Sequence, residues 1–296
     1  MKRPEFSSTL ILILLALVWG SSFILMKMGL RATDGSPVMS PYQVACLRMI
    51  FAALALSPIT IHAVKKIKKE DWKYLLVVGL CGSGIPAFLF AISQQFLDSG
   101  LAGILNAITP LFTLLFAVLF FKKETHKKQI FGMIIGFIGA AGIIAVKGSS
   151  LENYQYAFLI ITATFLYGIS VNTVGHHLQH VKAPWITAIS ITIASIPCLL
   201  IFATTNIAAI TSHPEGFRSL SAIAILAIFG TGIANIIFFR LTQTAGAIMA
   251  STVTYLIPIV AVGWGFFLGE SLSMGQLAFA GVILLGVYLG SQGKKN

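Results

Sequence analysis

This chain is poor in charge, and poorest in acid. Only 10% of its 296 residues are charged, with 9 Asp and Glu against 20 Lys and Arg, whereas a typical soluble domain carries about 25%. With 57% of its residues hydrophobic, it has too little polar side chain to cover its own surface in water. Cysteine is scarce as well. Cys46, Cys81 and Cys198 are odd in number, far apart and set in apolar runs, which excludes a disulfide framework and leaves packing as their role. No Walker-type phosphate loop occurs, which excludes direct use of ATP. There is no paired acid, and His176, His177 and His180 stand together without the carboxylates or cysteines of a metal centre. The chain is therefore read as not an enzyme, with no metal and no other cofactor. The alternating pattern of a membrane β-barrel is missing too.

What the chain does have is long apolar runs. They fall at roughly 8–29, 42–63, 73–94, 97–121, 128–147, 154–174, 184–208, 219–241, 244–268 and 275–292. Most approach the ~20 residues with which a helix crosses ~30 Å of hydrocarbon. In lipid the backbone must satisfy its polar groups within the segment, so the fold class is all-α integral membrane. Lys2-Arg3 before an apolar run resembles a signal peptide. The run continues past Trp19-Gly20 with no small-residue cleavage site, so it reads as the first crossing.

The formal charge of +11 is distributed as a topology signal. With both termini placed in the cytoplasm, fifteen Lys and Arg fall inside, against Lys27, Arg31, Lys147 and Arg218 outside. That is the positive-inside bias of a multi-pass membrane protein. The expected partners are the lipid bilayer and a small-molecule substrate, with no nucleic acid. The oligomeric state stays open, a monomer included.

The chain also repeats itself at an offset of 148 residues. Gly82-Ser83-Gly84-Ile85 returns as Gly230-Thr231-Gly232-Ile233, and Trp19-Gly20 as Tyr167-Gly168. Phe90 matches Phe238, Gln95 matches Gln243, Ala102 matches Ala250 and Pro110 matches Pro258. The expected architecture is ten transmembrane helices as two five-helix repeats, residues 8–147 and 154–292. Five is odd, so the second repeat enters from the opposite side and is inverted. The loop at Glu124 carries four lysines and the loop at Glu270 none, as inversion requires.

Trp19-Gly20-Ser21-Ser22-Phe23 with Lys27, Arg48 in the second crossing, Pro110 before an apolar run ending at Glu124, and Pro258 followed by Gly269-Glu270 together resemble the EamA-type drug/metabolite transporters. The resemblance covers nearly the whole chain. It implies a small-molecule carrier of the inner membrane, commonly an exporter of amino acids, related metabolites or toxic compounds. The second copy departs from the pattern, with Tyr167 in place of tryptophan and no equivalent of Arg48.

A solute crossing a bilayer needs polar or aromatic partners at mid-depth. Asn106, Thr109, Pro110 and Thr113 share one helical face, as do Ser251, Thr254, Tyr255 and Pro258 in the second copy. The expected substrate-binding residues are Trp19, Ser22, Ser83, Asn106, Thr109, Tyr167, Asn235, Thr254 and Tyr255. Pro110 and Pro258 are read as helix bends or gating elements. The competing reading is that the hydroxyls bond their own helices and the prolines only shape them. Arg48 attracts substrate carboxylates, snorkels outward, or pairs with Asp98. It and Arg240 are taken as electrostatic guards, and Lys27 as interfacial. Gly132, Gly136, Gly139, Gly286 and Gly290 are spaced for close helix packing.

All nine acids fall in loops or at span ends, with no carboxylate or histidine at mid-membrane. Facilitated diffusion or exchange by alternating access is therefore expected. The alternatives are proton-coupled efflux of drugs or toxic compounds and, behind it, a channel or a membrane-embedded enzyme.

Overall fold

The computed structural model describes residues 6–124, 126–146, 154–270 and 272–291. Lys2, Arg3, Glu5, Lys147, Glu152, Lys294 and Lys295, and with them part of the loop-charge asymmetry, lie outside the described residues. In chain order the long helical segments are α1 (Leu10–Leu30), α2 (Pro41–Val64), α3 (Lys69–Ser93), α4 (Ser99–Phe121) and α5 (Lys127–Val146). They continue as α6 (Gln155–His177), α7 (Ala183–Ala203), α8 (Gly216–Ala245), α9 (Ala247–Phe267) and α10 (Met274–Ser291). Nine of these are long and apolar enough to cross a membrane, and α5 adds a helix of 20 residues lying along α10.

The outer surface is apolar. Ile61 and Leu200 are each 71% exposed and Phe267 81% exposed, a surface that suits hydrocarbon and would aggregate in water. Polar side chains are turned inward. Ser93, Ser99, Thr113, Thr164, Thr187 and Ser251 are completely buried, and most bond a carbonyl of their own helix.

The helix pairs follow a pattern. α2 packs on α7 and α5 on α10. The contact of α4 with α6 is matched by that of α9 with α1, α3 with α6 by α8 with α1, and α2 with α8 by α7 with α3. Between α5 and α10 the backbones touch. A Cβ on Gly286 would meet the Gly136 backbone, and one on Gly132 would sit 2.5 Å from the Gly286 carbonyl, so only glycine fits at this crossing.

Four segments are interrupted halfway. α3 widens into a π-helical turn at Leu80–Gly84 and α8 does so at Leu226–Ile233. α4 breaks between Asn106 and Thr109, and α9 passes through a 3₁₀ stretch at Thr252–Tyr255. Pro110 and Pro258 are not bends within continuous helices, as their position suggested. Each stands in the first turn of a new helical stretch, where proline is well tolerated. Proline cannot bond the carbonyl four residues back. In α4 that carbonyl belongs to Asn106, and the Thr109 hydroxyl donates to it instead at 2.8 Å.

Lys27, near the end of α1, meets a carboxylate. Glu270, just past α9, has a side chain 7% exposed that accepts hydrogen bonds from Lys27 Nζ, from Ser99 N at 2.9 Å and from Ser99 Oγ at 3.1 Å. The amides at the start of α4 attract the carboxylate, and Lys27 of α1 supplies the countercharge. Glu124 is exposed, and the position matching Lys27 in the second half is Gly175.

Candidate functional site

The four interruptions surround a cavity walled by α1, α2, α3, α4, α6, α8 and α9. Its wall is built largely from residues 148 apart: Trp19 and Tyr167, Ser22 and Ser170, Phe23 and Val171, Gly82 and Gly230, Phe90 and Phe238, Asn106 and Thr254. The contacts repeat along with the residues. Trp19 meets Phe238 edge-on with ring centroids 4.9 Å apart, and Tyr167 stacks on Phe90 at 6.1 Å. A side chain on Gly82 would strike Ser170 Oγ, and one on Gly230 would come within 2.9 Å of Ser22 Oγ. Glycine in each π turn therefore lets the first helix of the other half approach. The π turn shifts the i→i−4 ladder, and the Gly230 carbonyl accepts from Trp19 Nε1 at 2.8 Å. This bond fixes the indole plane at the wall.

Of the expected substrate-binding residues, the structure brings Trp19, Ser22, Asn106, Thr109, Tyr167, Asn235 and Thr254 to this one cavity, with Arg48 beside them. Arg48 turns inward, and its Nε donates to Thr231 Oγ1 at 2.7 Å. Ser83 lies behind the wall, buried, and meets Asn235 Nδ2 at 3.4 Å. Tyr255 points away from the cavity, its hydroxyl donating to the Val287 carbonyl of α10 at 2.8 Å. One residue of further rotation along α9 separates it from Thr254, and that decides which of the two faces inward. Pro110 and Pro258 are buried behind Thr109 and Thr254, and Arg240 is exposed near the end of α8, off the cavity wall.

Phe23, Met26, Phe90, Phe238, Phe239, Ser170, Val171 and the two π-turn glycines also line the cavity and were not singled out as site residues. The repeat offset held the signal for several: Ser170 follows from Ser22 and Val171 from Phe23. Arg48 is the one charged residue in the described wall, which contains no Asp, Glu, His or Cys. Among the described residues no group of three or more His, Cys, Asp or Glu is placed to hold a metal ion. The ring of His176 stacks on Phe121 at 3.8 Å, and that of His177 on Tyr74 at 4.1 Å. The wall thus offers ring faces, amides, hydroxyls and one cation, a set suited to holding an amphipathic solute.

Known proteins resemble this chain along nearly its whole length. The profile described as the EamA-like transporter family matches residues 7–145 and again 155–291. An uncharacterized transporter of Archaeoglobus fulgidus is 25% identical over 289 residues, covering 95% of this chain and 97% of its own length. The uncharacterized inner membrane transporter YedA of Escherichia coli is 27% identical, covering 95% of this chain and 89% of its own. Protein PagO of Salmonella typhimurium is 24% identical, covering 96% and 92%. A solved crystal structure superposes with a TM-score of 0.65 at 15% identity, covering 96% of both chains, which shows a shared fold.

Proposed function

This chain belongs to the EamA-like transporter family, and we propose that it is an inner-membrane carrier exporting small organic solutes, amino acids or related amphipathic metabolites. It works by alternating access, with ten crossings arranged as two inverted five-helix repeats and both termini cytoplasmic. The observation that carries this reading is the pairing of the cavity wall. When mates from two inverted halves meet at one site, rocking one half against the other exposes that site to either side in turn. The matched helix contacts support the same reading, and the printed name of YedA supports the inner membrane.

A wall without carboxylate or histidine supports facilitated diffusion or exchange over proton coupling, since proton-driven carriers place a titratable group in the path. The relatives named transporters and the lack of an acid–base pair in the wall support transport without catalysis. The test is counterflow into liposomes by purified protein, with radiolabelled amino acids and small metabolites, with and without an imposed pH gradient. The expected result is saturable exchange of one solute class, unchanged by the gradient. Uptake that requires the gradient and accumulates solute would replace exchange with proton-coupled efflux.

A further inference from the structure

The cavity is largely paired, and its one charge is not. The position matching Arg48 is Ile196, 57% exposed on the outer face of α7. Arg48 therefore belongs to the part of the wall that repetition does not generate. Its Nε is held by Thr231, which orients the guanidinium plane. Nη1 and Nη2 have no partner among the described residues, and no acid faces them across the described wall. Ser170, 1% exposed and in the same wall, likewise has no hydrogen-bond partner for its Oγ among the described residues. Tyr167, also in the wall, lies within electrostatic reach of Arg48.

A guanidinium in an apolar chamber with two free donor nitrogens lacks the counterion that such burial demands, and its fork matches a carboxylate. We infer that the solute itself supplies this counterion: the cavity takes small organic monocarboxylates, the acid accepting two N–H bonds from Arg48 and the apolar body lying among Trp19, Phe90 and Phe238. A single cation neutralises a single negative charge. A phosphate dianion or a dicarboxylate would bring a second charge with no partner, and a bare amine would face the guanidinium unshielded. This assignment rests on the carrier reading for its site and adds the substrate class, in which the carboxylate is the required group.

The test compares matched probes on purified protein in nanodiscs: phenylacetate with phenylacetamide, and hexanoate with hexanamide, by isothermal titration at constant pH. Each acid should bind at least ~10-fold more tightly than its amide, as expected when a charge-assisted bidentate pair is replaced by a neutral contact. In Arg48→Gln the ratio should fall to about 1 with amide affinity nearly unchanged, while Arg48→Lys, which keeps the charge and loses the fork, should retain a ratio of a few-fold. Equal affinity of acid and amide for the wild type, or an undiminished ratio in Arg48→Gln, would overturn the assignment. Failure of both acids to bind while counterflow proceeds with a neutral or cationic solute would also overturn it and leave the carrier standing. Acid-selective binding with no counterflow of any solute would uphold the anion site and sink the carrier reading.

Discussion

At the scale of single residues, the indole of Trp19 does two jobs: its ring forms wall and its N–H holds the Gly230 carbonyl. Trp19→Phe keeps most of the ring and loses one neutral hydrogen bond, about 1 kcal/mol. It should lower flux several-fold while shifting the thermal midpoint little, read by counterflow beside thermal unfolding. An equal fall in both would make the indole a packing residue only. Glu270 makes a different prediction. Lys27→Ala leaves a buried carboxylate against α4 without its cation, a loss of order 3 kcal/mol for a broken buried pair. The double variant Lys27→Ala/Glu270→Ala should cost less than the sum of the single changes in a denaturation cycle. Outside the crossings, the Thr33 hydroxyl and amide, and then Arg218, hold the Glu215 carboxyl below its ordinary range. A carboxyl lowered in this way adds stability that is present above its ordinary range and lost as the pH falls through the lowered value. The midpoint difference between wild type and Glu215→Gln should therefore persist near neutrality and vanish in strong acid.

Among the elements, the interrupted segments matter most. Pro110 denies the Asn106 carbonyl its helical donor, and Thr109 takes that carbonyl over. Pro110→Ala restores the donor, so α4 should become more continuous, thermal stability should hold or rise, and counterflow should fall. An unchanged rate would show that the break plays no part in transport. The glycine seam of α5 and α10 is the opposite case, since it rests on contact alone. Gly286→Leu would drive a side chain into the Gly136 backbone, which cannot yield as a side chain does. The expected result is loss of the monodisperse folded peak in detergent. This seam was readable from Gly-xxx-Gly spacing, because close approach has a residue signature. The π turns were not readable. Glycine permits them, but the shift of the hydrogen-bond ladder is stabilised by what packs alongside, here Ser170 against Gly82 and Ser22 against Gly230.

For the whole molecule, the proposed inverted arrangement predicts that cysteines introduced at exposed positions beside the two loops, Glu124→Cys and Met274→Cys, react with an impermeant maleimide from opposite sides of the membrane. Labelling of both from one side would break the inverted-repeat reading. The membrane class and the apolar lengths of the segments were legible in the sequence, because hydrocarbon imposes a composition and a span that can be counted along one chain. The repeat offset likewise brought Trp19 and Tyr167, and Asn106 and Thr254, to notice as pairs. Only the tertiary structure decided that Thr254 faces the cavity and its neighbour Tyr255 faces α10, that Arg48 turns inward, and that Lys27 meets Glu270. Facing is a relation between helices. A few tens of degrees of rotation move a side chain from cavity to seam without altering one letter of its own segment, and that rotation is set by the packing of every neighbour at once.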